Sequence, residues 1–219
     1  MGEAIAPGTQ EAVRVAAQLR GALLRGDFAP GQRLVEADLC EQFNASRFVI
    51  RAALQELAGD DLVEIQRNKG ARVRQITLEE AVEITEARMV LEGLCAAKAA
   101  QRRTPADARE LRDIAAAMRK AVKGGDLLAY SDLNATLHRR IREMARHPTS
   151  AVLIDRLHAQ VVRHQFKLAM QPGRPAVSLP QHERIVAAVV AQDAAGAEQA
   201  TRDHLESVAQ ALRMLGADR

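Results

Sequence analysis

Apolar and polar positions alternate in changing patterns along the N-terminal part of the chain, and beyond about Gln75 only helical periodicity remains. Val13, Ala16, Leu19 and Leu23 mark an apolar stripe on a helix over 10–25, which Gly26 ends. A turn at 28–31 leads into a short strand over 32–35, and Val35 to Phe43 reads as a short amphipathic helix. Ile50, Leu54 and Leu57, spaced i, i+4, i+7, predict a second helix whose opposite side carries Arg47 and Arg51 one turn apart. Asn44 tolerates the left-handed backbone of the intervening turn, and Ser46 is placed to cap the second helix. A helix, a tight turn and a capped helix that begins with arginines is the layout of a helix-turn-helix, whose second helix enters the DNA major groove. After a turn at 58–61, the β-prone segments 62–65 and 71–74 flank a basic, Gly-containing loop. They read as a hairpin, or wing, with Arg72 and Arg74 alternating along it.

From Thr77 onward the breaks at 103–105, 123–126, 147–149 and 171–180 separate six helices, over 77–101, 105–122, 126–146, 149–170, 178–193 and 194–215. Thr77 with Glu80 forms a capping box, and Thr104-Pro105 joins a cap to a first-turn proline. The expected fold is mainly α. A winged helix-turn-helix with a small β-hairpin spans 1–75, and an all-α helical bundle spans 76–219.

Composition changes this picture little. Of 219 residues only 2% are aromatic, and strong helix formers dominate. The net charge of +3 permits a nucleic-acid partner without requiring one; the clustering of arginines on the second helix and the wing is more telling. Cys40 and Cys95 read as small buried hydrophobes in a reducing compartment. The longest apolar run, 185–191, is far short of the ~18 residues of a membrane helix, and no signal-peptide pattern is present. A cytoplasmic protein without a membrane partner is expected.

The bundle holds the candidate chemistry. Asn134 and His138 lie one turn apart, His182 lies near the start of the fifth bundle helix, and His204 lies within the sixth. Single histidines from separate helices, joined by an i, i+4 pair, can assemble a metal site in a bundle core. Ordinary hydrogen-bonded histidines fit the same spacing. His147, His158 and His164 read as surface or interface residues. Arg88 and Glu92, also i, i+4, form either a surface salt bridge or an arginine aimed at an anionic ligand. Three functions fit these features: a ligand-responsive DNA-binding regulator, a metal-dependent enzyme built on the bundle, and a regulator whose bundle only dimerises. No carboxylate is spaced to serve an enzyme as general base.

Taken together, Gly26, Pro30-Gly31, Leu34-Val35-Glu36, Leu39, Ser46-Arg47, Arg51, Ala53-Leu54, Leu57, Leu62-Val63, Gly70 and Val73 resemble the GntR family of bacterial transcription regulators. Arg88, Glu92, Asn134, Leu137-His138, His182, Ile185, Asp193, Ala197 and His204-Leu205 are similar to its FadR-type branch, which carries the FCD ligand-binding domain. The resemblance implies a homodimer on operator double-stranded DNA. The contacts would come from Arg33, Glu36, Ser46, Arg47, Phe48 and Arg51, and from a wing of Arg67, Asn68, Lys69 and Gly70. In the bundle it implies a divalent metal (Zn, Ni or Mn) on Asn134, His138, His182 and His204. A small carboxylic-acid effector would then be held by Arg88 and Arg142. Two departures stand out. Phe48-Val49 replaces the family's usual hydroxyl residue and proline, and Asn134 stands where Asp is commoner, a weaker ligand than a carboxylate.

Overall fold

Local sequence signals set the element boundaries in the computed structural model, which describes residues 7–66 and 70–217. The chain divides into two compact units, Met1–Ile76 and Thr77–Arg219. The first contains α1 (Pro7–Arg25), β1 (Arg33–Leu34), α2 (Glu36–Phe43), α3 (Arg47–Gly59), β2 (Val63–Gln66) and β3 (Gly70–Val73). Its core forms where α1 packs on α3, with Val15, Ala16 and Leu19 facing Ile50, Ala53, Leu54 and Leu57, all buried. The inward stripe of α1 runs through Ala12 and Val15. Val13, expected on that stripe, is 55% exposed, because one step of about 100° from Ala12 turns it outward. Asn44, at φ 47° and ψ 55°, makes the left-handed turn between α2 and α3. Ser46 Oγ then accepts from the Val49 N–H at 3.3 Å, which caps α3.

The expected two-stranded hairpin is a three-stranded antiparallel sheet of order β1-β3-β2. Leu34 pairs with Ala71, and Val63 with Val73, each of them buried; Arg33 and Glu64 both flank the exposed Arg72 on the other face. Burial of Leu34 is what draws β1 onto the hairpin. Gly70 has φ +82°, and a Cβ there would approach the Leu34 carbonyl to 3.2 Å, so the position requires glycine.

The second unit is made of α4 (Leu78–Arg102), α5 (Pro105–Gly124), α6 (Leu127–Ala145), α7 (Pro148–Ala169), α8 (Arg174–Ala191) and α9 (Ala194–Ala217). Thr77 Oγ1 accepts from the Glu80 N–H, and Thr104 forms a reciprocal capping box with Asp107. Gly125, at φ +70°, closes α5. Alanine richness has a packing role here. Ala96, Ala99 and Ala100 give α4 a buried small-residue face, and the core beside it is filled by Leu111, Met118, Leu137, Ile141, Ile185 and Val189. Helix α9 packs along both α4 and α8.

One boundary differs from expectation. The stretch 171–180 reads as a break, yet α8 starts at Arg174 and carries Pro180 inside it. Pro175 occupies the first turn, where a missing N–H is harmless, and Pro175 and Ser178 are both buried, so packing holds the turn before Pro180 in place. Cys95 is buried as expected, whereas Cys40 is half-buried. Among the described residues no helix is long and apolar enough to cross a membrane.

Candidate functional site

Two surfaces collect the residues singled out in the sequence, one in each unit. In the first unit a shallow concavity is lined by Arg33, Glu36, Arg47, Arg51 and Gly70. Arg47 opens α3 and is exposed, and Phe48 beside it is 74% exposed, a large apolar ring presented to solvent. Arg51 donates through Nε to both carboxylate oxygens of Glu36 at 2.9 Å, a bond that fixes α3 against the first turn of α2. That hydrogen bond and the charge of Glu36 raise the Arg51 pKa. Ser46 caps the helix from which these side chains project. Arg67, Asn68 and Lys69 lie outside the described residues; Gly70 and the exposed Arg72 mark the adjoining strand.

In the second unit His138 of α6, His182 of α8 and His204 of α9 converge, with a nitrogen from each ring lying within 4.8 Å of the other two. Ring centroids are 5.4 Å apart for His138–His182 and for His138–His204, and 4.3 Å apart for His182–His204. Each ring is anchored through Nδ1. His138 Nδ1 meets Glu92 Oε2 at 3.1 Å, His204 Nδ1 meets Gln181 Oε1 at 2.9 Å, and His182 Nδ1 meets the Tyr130 hydroxyl at 3.0 Å. Glu92 and Gln181 present acceptor oxygens, so His138 and His204 each donate through Nδ1, which leaves Nε2 as the nitrogen free to meet the other rings. His138 and His182 bring their Nε2 atoms to 3.4 Å, a separation that needs a shared proton or a cation. Burial, reinforced by the neighbouring histidines and Arg174, holds His182 and His204 well below the ordinary imidazole pKa. Both are therefore neutral, the form that ligates metal.

The residues present fit a metal. Three imidazoles point together, each oriented by an outer partner, as metal-binding histidines are. Asn134 lines the same cavity, and its Oδ1 is buried without a hydrogen-bond partner among the described residues. Burial, more than any neighbour, pushes the Tyr130 hydroxyl up to about 12, so it stays a neutral phenol.

Arg88 and Glu92 form no surface bridge. They are 4% and 3% exposed, with Arg88 Nη2 and Nε donating to Glu92 Oε1 at 2.6 and 2.9 Å. Burial alone would raise the Glu92 carboxyl, but Arg88 and His138 beside it hold it well below the carboxylate range. The third guanidinium nitrogen of this cavity-lining residue, Arg88 Nη1, is buried without a partner among the described residues. Arg142 also lines the cavity and faces Asp155 at 3.2 Å. The cavity measures about 360 Å³, within the usual range for small-molecule sites. His158, expected at a surface or interface, lines this cavity instead, and burial pushes its pKa down to about 4. Its helix α7 turns a half-buried face inward. His147 caps α7 by accepting from the Ser150 N–H. Sequence reasoning missed Tyr130, Gln181 and Arg174. Tyr130 is the chain's single tyrosine, and its residue type was the one available signal.

A winged helix-turn-helix followed by an all-α unit with a ligand-sized cavity defines a class, the transcription regulator with its own sensing domain. The profile described as the FCD domain matches residues 83–207, more than half of the chain. That described as bacterial regulatory proteins of the gntR family matches residues 11–73. The chain belongs to the gntR family, in its FCD-containing form. It is a DNA-binding transcriptional regulator and not an enzyme.

Among curated proteins it is similar to the HTH-type transcriptional repressor RspR of Escherichia coli (strain K12). The two are 25% identical over 209 residues, 95% of this chain and 90% of the relative. It is 28% identical to the HTH-type transcriptional regulator LutR of Bacillus subtilis (strain 168) over 213 residues, 85% of this chain and 94% of that one. Of solved structures, E. coli McbR/YncC shares the fold with a TM-score of 0.77 at 22% identity, over 94% of this chain and 98% of that one.

Proposed function

We propose that the chain is a ligand-responsive repressor that binds operator DNA as a homodimer and senses a small carboxylic acid through a metal-containing site in its helical unit. The convergence of His138, His182 and His204, each anchored through Nδ1, is the observation that supports it most. These three would hold the metal, with Asn134 as a further oxygen donor. Three imidazoles favour Zn²⁺ or Ni²⁺ over Mn²⁺, which prefers oxygen-rich sets. The bound metal would supply a Lewis-acidic position for an effector oxygen. Arg88, whose buried Nη1 lacks a partner, would take the effector carboxylate, with Arg142 beside it. Repression rests on the similarity to RspR, which is named a repressor.

On DNA, Arg47 and Arg33 would contact bases or phosphates, and Ser46 the backbone. Arg51, oriented by Glu36, would reach phosphate. Phe48 would pack on a thymine methyl, and Arg67, Asn68, Lys69 and Gly70 would approach the minor groove. A protein acting on chromosomal operators works in the cytoplasm.

The test is metal content by elemental mass spectrometry of protein purified without chelator or His-tag, for the wild type and His138→Ala. Stoichiometric metal in the wild type and loss in the variant supports the reading. Absence of metal from both removes the metal and leaves a regulator whose bundle serves dimerisation. An acid that binds the helical unit must also shift operator affinity, since a ligand that binds both states equally shifts nothing.

A further inference from the structure

The cavity wall is rich in arginine, and one of those arginines has no acidic partner among the described residues. Arg88, Arg139, Arg142 and Arg174 line it, and no Asp or Glu stands among its described lining residues. Three of the four have acidic partners away from the cavity. Arg88 has Glu92, Arg142 has Asp155 at 3.2 Å, and the exposed Arg139 has Glu143 at 4.0 Å. Arg174 has none among the described residues. Its Nη1 donates to the Ser207 hydroxyl at 3.1 Å, and its Nη2 is buried without a partner. Burial lowers its pKa, with only Tyr130 opposing, which marks the desolvation of a charge that no carboxylate compensates. Two guanidinium nitrogens of residues that line the cavity, Arg88 Nη1 on α4 and Arg174 Nη2 on α8, are buried and have no acceptor among the described residues. Leaving such groups unsatisfied is costly, and they sit on different helices, so each calls for an acceptor of its own.

We infer that the effector is a small dianion, an organic acid with two anionic groups, one taken by Arg88 and the second by Arg174. Arg174 is then the residue that sets charge specificity. The inference rests on the acid-binding reading above and adds to it the second charge and the residue that selects for it. Ser131, Thr136 and Ser178 place hydroxyls in the same wall, which suits a compact polar ligand. A neutral oxygen could accept from Arg174 Nη2 but would leave its charge unanswered, so charge and hydrogen bonding must be separated.

Succinate and glutarate, each paired with its monoamide, separate them, because the amide keeps size and an acceptor oxygen while removing one charge. Binding is measured by calorimetry on the full-length protein as purified, for the wild type, Arg174→Gln and Arg174→Lys. The diacids should bind the wild type roughly tenfold or more tighter than their monoamides, the scale of one charge-assisted hydrogen bond. Arg174→Gln should abolish that difference, and Arg174→Lys, which keeps the charge, should retain part of it. Equal binding of acid and monoamide to the wild type, or undiminished discrimination in Arg174→Gln, overturns the dianion inference and leaves the acid-binding reading standing. Failure of the wild type to bind either member of any pair overturns that reading together with the inference. If Arg174→Gln does not fold, Arg174→Lys decides: discrimination unchanged in kind supports a charge role, and its complete loss refutes it.

Discussion

Replacing Glu92 with Gln is the most informative single change in the helical unit, because Glu92 serves both Arg88 and His138. It accepts two bonds from the Arg88 guanidinium, at 2.6 and 2.9 Å, and one from His138 at 3.1 Å. Arg88 and Glu92 are 4% and 3% exposed, so water cannot replace the lost charge. Removing one partner of a buried ion pair costs about 3–5 kcal/mol, chiefly by stranding the other charge. For a chain of this length that corresponds to a melting temperature lowered by roughly 6–20 °C. Circular-dichroism melts in the presence of chelator isolate this effect from any metal. The double variant Arg88→Met, Glu92→Leu, which removes both charges, should recover most of the loss. Weakening the partner of His138 should also lower metal affinity by roughly 10–100-fold, as loss of an outer carboxylate does elsewhere. A Glu92→Gln protein that melts with the wild type would show that the pair is not buried as described. One that melts low but keeps full metal affinity would break the link from Glu92 through His138 to the site.

His158, pushed down to about 4 in the folded chain, sits near 6.5 when unfolded, so the unfolded state binds more protons between those values. Its contribution is intact above about pH 6.5 and is lost as pH falls toward 4, by at most about 3 kcal/mol, with His182 and His204 acting in the same direction. Melts of chelated protein from pH 8 to pH 4 should fall through this window; a flat profile would contradict the neutral imidazoles. Arg47→Ala should weaken operator binding by roughly 1–3 kcal/mol and relax base preference, read by fluorescence anisotropy across mutated operators. Unchanged affinity and preference would place the recognition surface elsewhere on the first unit.

What was legible in the sequence was what is encoded locally. The Ile50, Leu54, Leu57 stripe, the Ser46 cap and the left-handed Asn44 each depend on neighbours within one or two turns, and each holds in the structure. The bundle helices were legible for the same reason, because caps such as Thr104 with Asp107 are short-range. The site was legible only in part. Spacing placed Arg88 beside Glu92 and Asn134 beside His138, but left a surface bridge as good a reading as a buried one. Periodicity does not distinguish a charge pair facing water from one facing a cavity. Tyr130 meets His182 across 52 residues and Gln181 meets His204 across 23, so these anchors follow from the packing of α6, α8 and α9 and from no local pattern. His158 was misplaced for a related reason. Its half-buried helix face mixes polar and apolar residues around the cavity, which from sequence resembles a solvated face.

Pro180 gives α8 a mechanical property that its neighbours lack. The residue has no N–H to donate to Ala176 one turn back, so the ladder is interrupted between the turn that bears Arg174 and the turn that bears His182. The helix is thus two short rods on a common joint, one tipped with a guanidinium and the other with an imidazole. The forward rod, although packed through Pro175 and Ser178, is the end with fewer backbone bonds to hold it. Backbone amides at 177–179 should therefore exchange with deuterium sooner than those at 184–189, and an occupant gripped by both rods would slow the first group far more than the second.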